Sequence, residues 1–587
     1  MQKIIKRRHS NDSDHQLSAS LHPLLQKIYC ARGVSSDDQI NSNLSALLKP
    51  DSLQGLEQGL ALVVEALEKQ QRILIIGDFD ADGATSSVLA VLALRAMGAH
   101  HVDFLVPNRF EYGYGLTPEI VEVGKNYSPD LIITVDNGMS SIDGVAAANT
   151  AGIKVLVTDH HLPGRRLPAA AAIINPNQPG CEFASKNLAG VGVIFYIMSA
   201  LRAELRNRQW FEQHNIIEPN MADYLDLVAL GTVADVVPLD QNNRILVAQG
   251  LRRIRAGRCR PGIKALSAVA NRNLHRLVSA DLGFALGPRL NAAGRLDDMS
   301  LGIQCLLTDD ECLARDMAVQ MDELNQDRKS IENSMQREAL SSLNKLDIEE
   351  GSYSSTQPST LPYGLCLYDA NWHQGVIGIL ASRIKDRYHR PVIAFADTDE
   401  PGVIKGSARS IPGLHIRDAL DAVAAQHPEL LNKFGGHAMA AGMSLRKDNY
   451  PAFAKAFDAE VRRQLTEDDL QAVLHSDGEL AEDEFNVSLA QLLRDGGPWG
   501  QHFPEPLFDG EFLLVQQRIV GEKHLKMVLA VDAEGQQVVD AIAFNVDISC
   551  WPNQHADKVR AVYKLDVNEF RGKESLQLLV DYIEPIS

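Results

Sequence analysis

Acidic and histidine side chains follow three short apolar segments of this chain, at residues 72–77, 131–135 and 153–158. Carboxylates and imidazoles that converge can hold divalent cations, which support hydrolytic chemistry. Continuous Ile, Val and Leu runs are typical of strands buried on both faces of a parallel sheet, and ligands bind outside the carboxyl ends of such strands. The pattern predicts a metal site at one sheet edge, and its side chains are Asp78, Asp80, Asp82, Asp136, Asp159, His160 and His161.

Each of the three motifs also has a simpler interpretation when it is taken alone. The Asp-x-Asp-x-Asp-Gly run at residues 78–83 is similar to a calcium loop without its glutamate, and it also suits a solvated turn. Asp136 precedes Asn-Gly and suits a turn, and adjacent histidines such as His160 and His161 are commonly surface or core residues. The conjunction of all three motifs at one predicted sheet edge favours the metal site.

Predicted helices alternate with the predicted strands in the N-terminal half, which indicates an α/β fold with a parallel sheet and right-handed crossovers. Two further helices are predicted at residues 189–206 and 221–232, and Asp235 follows the second, where its carboxylate can reach the sheet edge. The other predicted elements of this half are helices at 21–29, 56–69, 84–97 and 118–125, and strands at 72–77, 102–106, 131–135 and 153–158.

The C-terminal half is predicted to contain a long helix, a second α/β region and a small barrel. The polar helical pattern at residues 309–346 would extend for about 55 Å, which suits either a connection between two domains or a plain bundle helix. A Ser/Thr/Pro-rich hinge is predicted at residues 351–362, and a second α/β block at residues 363–464. Five short strands predict an OB-like β-barrel, a frequent single-strand binder, at residues 511–520, 525–531, 537–544, 558–567 and 575–583.

The composition is that of an ordinary globular protein of several domains, with 587 residues, of which 45% are hydrophobic and 23% charged. No stretch approaches the ~20 apolar residues needed to span a bilayer. The basic start at residues 3–8 lacks the apolar segment of a secretory signal. Seven cysteines without a Cys-x-x-Cys pattern suit reduced thiols. We therefore expect a cytoplasmic protein with no membrane partner.

The net charge of −19 argues against a general nucleic-acid-binding protein, which would usually be basic. Composition alone favours an acidic enzyme of small-molecule metabolism. Acids that bind metal are neutralised locally, however, and nucleic-acid binding depends on where the basic residues cluster. A nucleic-acid substrate would therefore follow a local basic groove in an acidic body.

Several motifs resemble those of the DHH phosphoesterase superfamily. Asp159-His160-His161, preceded by the Asp-x-Asp-x-Asp-Gly loop, is similar to its DHH motif, and residues 227–239 are similar to its fourth motif. Further segments are similar to the companion DHHA1 domain, at residues 406–410 and 435–442, and to the bacterial members that degrade single-stranded DNA from 5′ ends, at residues 287–295 and 372–378.

The resemblance extends from about residue 45 to the end of the chain and implies an order of domains. We expect a parallel-sheet DHH domain joined by a long helix to a second α/β domain, the DHHA1 domain, and followed by an OB-like barrel. The expected limits are an N-terminal extension at 1–45, the DHH catalytic domain at 46–300, the connecting helix at 301–346, the DHHA1 domain at 347–465 and an OB-fold nucleic-acid-binding domain at 466–587.

The expected chemistry is phosphodiester hydrolysis by two divalent ions, Mn²⁺ or Mg²⁺, which carboxylate-rich sites prefer. Asp136, the lone acid of the central motif, is the candidate for bridging both ions. By resemblance, His161 either stabilises charge on the scissile phosphate or donates a proton, and Asp159 orients His160. Ile76 stands where related small-substrate phosphatases have a histidine, so their first-metal geometry does not transfer. The metal ligands implied by the resemblance are Asp78, Asp80, Asp82, Asp136, His160 and Asp235.

Recognition of a 5′ end requires groups that bind a terminal phosphate. Guanidinium groups and Gly/Ser turns do this well. The resemblance points to Arg109, with Ser407 and Arg409 from the second α/β region, and to Arg289 or Arg295. An intramolecular salt bridge is the alternative for each arginine. Ser407 and Arg409 gain support from the preceding glycine and from His437 after a Gly-Gly pair.

Single-strand binding is expected to use the barrel and a set of aromatic side chains. Arg518, Lys523, His524 and Lys526 form a basic hairpin pattern that suits contact with a DNA backbone, and a solvated loop is the alternative. The candidates for stacking on bases are Phe110, Tyr112, Tyr114 and Trp372, for which core packing is the alternative.

The leading hypothesis is a metal-dependent 5′→3′ exonuclease that degrades single-stranded DNA to mononucleotides. By resemblance, it would act in DNA recombination and repair, beside a single-strand-binding protein and a RecQ-type helicase. One rival is a DHH phosphatase of very short oligonucleotides, which would lack a C-terminal barrel. Another is a non-catalytic DNA-binding scaffold, in which metal ligands should have been lost.

Overall fold

The computed structural model describes residues 3–9, 16–108, 112, 114–349, 361–431, 433–532, 534–548, 550–553, 555–570 and 572–586. Contacts divide the chain into a smaller unit, Met1–Lys6 with Glu323–Leu474, and a larger unit, Arg7–Asp322 with His475–Ser587. In the described residues, no helix is long and apolar enough to cross a membrane. The first two elements are β1 (Ile4–Arg7) and α1 (Pro23–Cys30).

The larger unit contains the predicted parallel sheet, which has five strands in the order β3-β2-β4-β5-β6. Four strands agree with the sequence prediction, and the short fifth strand, β6, was not predicted. The elements of this region are α2 (Leu56–Glu68), β2 (Ile73–Gly77), α3 (Ala81–Ala96), β3 (Val102–Leu105), α4 (Pro118–Gly124), β4 (Leu131–Val135), α5 (Ile142–Thr150), β5 (Lys154–Thr158) and β6 (Ala172–Ile174).

The central strands are apolar because helices cover both faces of the sheet. Every residue of β2 and β4 is buried, and the pairing of Gly77 with Val135 and of Val135 with Thr158 aligns the strand ends. One face of the sheet packs under α4 and α5, where Ile120 and Val145 join Leu74 and Ile132 in a buried cluster. The residues that follow β2, β4 and β5 therefore leave the sheet at one edge.

Helices complete this part of the larger unit. Helix α3 contacts both α6 and α8. A four-residue 3₁₀ turn at Met221–Tyr224 precedes α8, so the predicted helix over 221–232 begins later than expected. The elements are α6 (Gly190–Asn207), α7 (Trp210–Gln213), α8 (Leu225–Ala234), α9 (Gln241–Arg255), α10 (Pro261–Val269), α11 (Ser279–Asp281), a π-helical turn (Leu282–Leu286), α12 (Gly287–Leu296) and α13 (Ser300–Leu307).

The predicted long helix is α14 (Glu311–Glu349), which has 39 residues and begins in the larger unit and continues in the smaller one. The hinge predicted at 351–362 falls almost entirely on residues 351–360, which lie outside the described residues.

The smaller unit contains the second α/β region, whose sheet has the order β10-β11-β9-β8-β7. Only β7 and β8 pair in parallel, and the remaining pairs are antiparallel. Phe395, Phe453 and Phe457 are fully buried in its core. The elements are β7 (Leu365–Tyr368), α15 (Ile377–Tyr388), β8 (Val392–Asp397), β9 (Val403–Arg409), α16 (Ile416–Gln426), β10 (Lys433–Gly436), β11 (Ala440–Arg446) and α17 (Tyr450–Gln464).

The C-terminal region forms the predicted barrel, which closes in the order β13-β14-β15-β17-β16. Tyr563 and Phe508 fill its interior. The fold is therefore the predicted one: a parallel-sheet α/β domain, a long helix, a second α/β domain and an OB-like barrel. The last elements are β12 (Val473–Ser476), α18 (Val487–Asp495), β13 (Phe508–Val520), β14 (His524–Ala530), β15 (Val538–Ala543), β16 (Lys558–Phe570) and β17 (Lys573–Ile586).

Candidate metal centre

Acidic and imidazole groups converge where β2, β4 and β5 end. Three groups of side chains each bring one ligand atom per residue to within 4.8 Å of the others. Two of the groups share Asp136 and two share His160, so the three groups form one continuous cluster. The groups are Asp78 with Asp80 and Asp136, Asp82 with His160 and Asp235, and Asp136 with His160 and His161.

His160 lies at the centre of this cluster. Its Nε2 is 3.0 Å from Asp136 Oδ1, 3.5 Å from Asp235 Oδ2 and 4.0 Å from Asp82 Oδ2. These three acids come from the end of β4, the end of α8 and the start of α3. The imidazole therefore connects parts of the chain that are up to about 150 residues apart in sequence.

The carboxylates of the cluster repel one another in a buried setting. Burial and the nearby charges of Asp82 and Asp80 raise the pKa of Asp136 well above its usual range. Burial and the same two charges also raise the pKa of Asp235. Burial and the charge of Asp80 raise the pKa of Asp82 to about 7. Such a cluster requires protons or cations to compensate its negative charge.

The donor set fits divalent cations. Asp136 is 2% exposed, and its buried Oδ1 faces Nε2 of His160 at 3.0 Å without a hydrogen bond of standard geometry. A buried carboxylate oxygen beside an imidazole nitrogen is suited to share a metal ion with it. Carboxylate-rich sites with imidazole ligands suit Mn²⁺ or Mg²⁺, whereas structural zinc sites are usually rich in cysteine.

Asp82 is held by the N-terminus of α6. The main-chain N–H groups of Gly190 and Val191 donate to its two carboxylate oxygens over 2.6 Å and 2.9 Å. Asp80 caps α3, because its Oδ1 accepts from the N–H groups of Asp82 and Gly83. Helix α3 therefore starts at Ala81 and not at residue 84 as predicted, because the Asp-x-Asp-x-Asp-Gly motif supplies its first turn.

At two glycines of the site, a side chain would overlap with the aspartates of the cluster. A Cβ atom at Gly190 would lie 2.6 Å from Asp136 Cβ, and one at Gly231 would lie 2.9 Å from Asp82 Oδ1. Both glycines belong to helices, α6 and α8, where glycine is otherwise unfavourable. Neither glycine was predicted to be a site residue, although a glycine inside a predicted helix can indicate the close approach of another group.

The turn that presents Asp136 is fixed by its neighbours. Asp136 has φ +61°, a left-handed conformation that aspartate tolerates better than most residues. The side-chain amide of Asn137 donates to the carbonyls of Ile76 and Val135, so it connects the ends of β2 and β4. Asn137 was not predicted as a site residue, although Asn after an acid is a common turn signal.

Asp159 contacts His161, which differs from the sequence expectation that it orients His160. Its Oδ1 lies 2.8 Å from His161 Nδ1 and also accepts from the main-chain N–H groups of both histidines, while Oδ2 accepts from the N–H of Met139. The rotation of the strand end turns the aspartate toward the second imidazole. Asn177 and Asn175 donate to the carbonyls of His160 and His161, and this pair was not predicted.

His161 carries a strongly perturbed imidazole. Burial alone would lower its pKa, but the hydrogen bond to Asp159 and the charges of Asp159, Asp235 and Asp78 outweigh burial and raise the pKa to about 9. The hydroxyl of Tyr114 lies 3.3 Å from His161 Nδ1 and 3.4 Å from Nε2, and 3.3 Å from the carbonyl oxygen of Asp136. Tyr114 therefore contacts the metal centre itself.

The remaining aromatic candidates have different positions. Tyr112 is half-buried and packs against the core under α4 and α5. Trp372, a stacking candidate for which core packing was the alternative, is buried, and its indole N–H donates to Glu338, so core packing holds for it. Phe110 lies outside the described residues, as does Arg109.

The segment at residues 287–295 packs against the loop that carries Asp78, Asp80 and Asp82. Asn291 Oδ1 accepts from the N–H of Ala81, and a Cβ atom at Gly294 would lie 1.8 Å from the carbonyl oxygen of Phe79. Arg289 forms an ion pair with Asp322 at 2.7 Å, which is the alternative considered for this arginine. Arg295 lies in the last turn of α12.

In the smaller unit, Ser407 and Arg409 lie on β9 and contact each other. Arg409 Nη1 donates to Ser407 Oγ at 3.1 Å and to the carbonyl of Ala408. A Cβ atom at Gly378 would lie 2.8 Å from Arg409 Nη2 and 2.9 Å from Ser407 Oγ, so glycine keeps this polar corner open. His437 is exposed after β10, and its N–H donates to the carbonyl of Ala440.

The basic residues predicted for the barrel lie on one hairpin. Arg518 on β13 pairs in register with Lys526 on β14, and Lys523 lies in the connecting turn. Arg518 and Lys523 are exposed, whereas Lys526 is half-buried and lies 3.6 Å from Asp540.

Three family models match the chain. They are the DHH family, N-terminal domain, at residues 72–232, the DHHA1 domain at residues 362–463 and the RecJ OB domain at residues 476–582. Every candidate ligand except Asp235 lies within the first match.

Similar proteins cover nearly the whole chain. The single-stranded-DNA-specific exonuclease RecJ of Salmonella typhimurium (strain LT2) is 55% identical over 580 residues, which are 99% of this chain and 99% of that protein. The crystal structure of RecJ from Thermus thermophilus in complex with Mn²⁺ is 29% identical with a TM-score of 0.77, and it covers 97% of this chain and 76% of that chain. The corresponding complex with Mg²⁺ is 27% identical with a TM-score of 0.71, and it covers 97% of this chain and 75% of that chain.

Proposed function

The chain belongs to the RecJ family of single-stranded-DNA-specific exonucleases, and from this premise we propose that it removes mononucleotides successively from the 5′ end of single-stranded DNA with two divalent ions. The observation that carries the proposal is the continuous cluster in which Asp136 and His160 each belong to two overlapping groups of ligand atoms. A shared carboxylate is what a pair of neighbouring ions requires.

We assign the ligands of the two ions from the overlapping groups. Asp82, His160 and Asp235 would hold one ion, Asp78 and Asp80 the other, and Asp136 would bridge them. When bound, the ions supply activation of water and neutralisation of charge on the scissile phosphate and the leaving oxygen. The RecJ structures with Mn²⁺ and with Mg²⁺ support either metal.

The groups around the ions would orient the phosphate and transfer protons. Asp159 holds the ring of His161 and favours its protonated form, so His161 would donate a hydrogen bond to the phosphate or a proton to the leaving oxygen. Tyr114 contacts both His161 and the carbonyl of Asp136, so it would keep the ring in place.

The 5′→3′ direction would come from recognition of the terminal phosphate. Ser407 and Arg409 form a polar corner beside Gly378 that suits a small anion, and exposed His437 would add a third donor. The resemblance adds Arg109 and either Arg289 or Arg295. Arg289 would have to break its ion pair with Asp322 before it could bind a phosphate.

The barrel would hold the rest of the strand. Arg518 and Lys523 expose their charges on the β13–β14 hairpin, with Lys526 beside them. Backbone contacts of this kind are independent of sequence and weaken with salt. The closed barrel also argues against the rival phosphatase of very short oligonucleotides, which was expected to lack a C-terminal barrel.

Activity on single strands implies a supply of unwound DNA, so we propose a role in DNA recombination and repair. A RecQ-type helicase would produce the strand, and a single-strand-binding protein would cover it. Both partners follow from the substrate and from the family resemblance.

The test is digestion of a long 5′-phosphorylated single strand in Mn²⁺ or Mg²⁺, with the label at either end. We expect labelled mononucleotides at once from the 5′-labelled strand and progressive shortening of the 3′-labelled strand. A matching duplex should resist digestion. A preference for dinucleotides over the long strand would support the rival phosphatase, and cleavage from the 3′ end would overturn the direction.

A further inference from the structure

Val236 occupies a backbone conformation that is unfavourable for its residue type. It directly follows Asp235, the residue that ends α8, and has φ +60°. Its N–H donates to the carbonyl of Val233, as in the left-handed turn that terminates many helices. Glycine is usual at this position, because a branched Cβ is strained in the left-handed region. Val236 is nevertheless 63% exposed, so packing in the core does not explain its presence.

A second exposed apolar side chain lies in the same place. Phe284 is 88% exposed and belongs to the π-helical turn Leu282–Leu286, which packs against the end of α8. A Cβ atom at Gly283 would lie 3.2 Å from Val233 Cγ1. Val236 and Phe284 both line a cavity of about 980 Å³ in the larger unit. Single exposed apolar residues are common on protein surfaces. Two such residues at one cavity, one of them next to a candidate metal ligand, indicate a binding surface.

The lining of the same cavity contains seven arginine and lysine side chains and five carboxylates, so it is basic on balance, and three of its arginines could bind an anion. Arg255 donates to the carbonyl of Leu277, Arg494 donates to the carbonyl of Arg276, and Arg252 donates to the hydroxyl of Ser42. These acceptors are neutral, so the hydrogen bonds leave the guanidinium charges in place. Burial lowers the pKa of Arg255, and the charges of Arg494 and Arg252 act in the same direction. The charges of Arg494 and Arg252 therefore lie close enough to act on Arg255, and the opposite charge of Asp495 partly compensates them.

We propose that the Val236 side chain, together with Phe284, forms an apolar contact for the nucleotide next to the scissile phosphate of single-stranded DNA, while the arginines of the cavity bind phosphates farther along the strand. The inference rests on the proposed function. Val236 is one peptide unit, about 3.8 Å between Cα atoms, from the ligand Asp235. A sugar or base bound beside the metal centre would cover the exposed isopropyl group, which would give the strained, exposed valine a physical role.

The test compares Val236→Gly with Val236→Ala. Glycine relieves the backbone strain and removes the side chain, so we expect a melting temperature higher by about 1–3 °C and a KM for single-stranded DNA higher by about tenfold. Alanine removes the isopropyl group but keeps a Cβ, so it should raise KM with little change in melting temperature. The Mn²⁺ affinity, measured by calorimetry, should stay within about twofold in both variants.

His389→Gly is the matched control, because His389 is also left-handed, with φ +48°, at the end of α15. It should gain stability without any change in KM. A Val236→Gly variant with the KM of the wild type would overturn the inference, and so would a large loss of Mn²⁺ affinity, which would mean that Val236 acts only through Asp235. Absence of cleavage by the wild type would instead overturn the proposed function, so the two failures are distinguishable.

Discussion

Gly190 and Asp136 are packed so closely that no side chain fits between them. A Cβ atom on Gly190 would lie 2.6 Å from Asp136 Cβ, 2.8 Å from its Oδ1 and 2.9 Å from its Cα. The N–H of the same glycine donates to Asp82 Oδ2 over 2.6 Å. One residue at the start of α6 thus positions two acids that follow different strands of the sheet.

Gly190→Ala should therefore disrupt the metal centre. The added methyl group meets main-chain and Cβ atoms that cannot move independently, so Asp136 must shift. We expect Mn²⁺ affinity to fall by at least about tenfold, as for losses of groups that orient metal ligands. Titration calorimetry measures the affinity, and circular dichroism verifies the fold. Gly192→Ala is the control in the same helix, since its methyl group would meet only the flexible Leu188 side chain. Equal losses in both variants would contradict the assignment.

Asp136→Asn should abolish cleavage and spare DNA binding. The amide cannot bridge two cations, so we expect cleavage to fall by more than about a hundredfold, while affinity for a labelled single strand stays within about twofold. Without metal, the variant should melt at a higher temperature, because the amide cannot ionise and avoids the cost that burial and the neighbouring acids impose on the carboxylate. Asp103→Asn, at an exposed position of β3, is the control. Cleavage at near wild-type rates would refute the bridging role.

Stability of the metal-free protein should depend on pH through the same acids. The folded pKa of Asp82 is raised to about 7 from the ordinary 3.8, so the folded state binds more protons than the unfolded chain between these values. Lowering the pH from 8 to 6 should therefore stabilise the metal-free protein, and this stability is lost as the pH rises through 7.

Mn²⁺ competes with those protons, so the increase in melting temperature caused by saturating Mn²⁺ should be largest at pH 8 and smaller at pH 6. Scanning calorimetry with Mn²⁺ or with a chelator measures both effects. An increase that is the same at every pH would show that these carboxylates do not bind the metal.

Replacing Arg518, Lys523 and Lys526 together by alanine should weaken DNA binding without damage to the metal centre. Loss of three phosphate contacts should reduce the slope of log K against the logarithm of the salt concentration by about 2. It should also reduce the affinity by roughly tenfold or more. Fluorescence anisotropy at several salt concentrations measures both. Lys69, Lys125 and Lys154, which pair with glutamates, form the control triple. An unchanged salt slope would mean that the hairpin does not contact the backbone.

Local patterns in the sequence were sufficient to predict the elements. The apolar runs of β2, β4 and β5 predicted a parallel sheet because only strands covered on both faces lack polar residues. The barrel strands were predicted within a few residues because turn residues separate them. The three-residue β6 was missed because so short a run carries no periodic signal. The predicted domain limits and the ligand assignments stay predictions.

Side-chain partners were harder to predict than elements. Asp159 was expected to orient His160 but contacts His161. The course of the chain after a strand depends on long-range contacts, here the hydrogen bonds from the side-chain amides of Asn175 and Asn177 to the carbonyls of the two histidines. For Trp372 the sequence left stacking and core packing open, and the buried position beside Glu338 fits core packing. For Arg289 it left phosphate binding and a salt bridge open, and the side chain pairs with Asp322.

The sequence by itself determined which residues carry charge and which strand ends they follow, since hydrophobic period and residue type are local properties. Only the tertiary structure decided that the N-terminus of α6 holds Asp82, that Gly190 and Gly231 leave room for two acids, and that Asp159 pairs with the second histidine. These relationships join segments up to about 150 residues apart. Their geometry depends on how helices pack over the sheet edge, which no single segment of the sequence encodes.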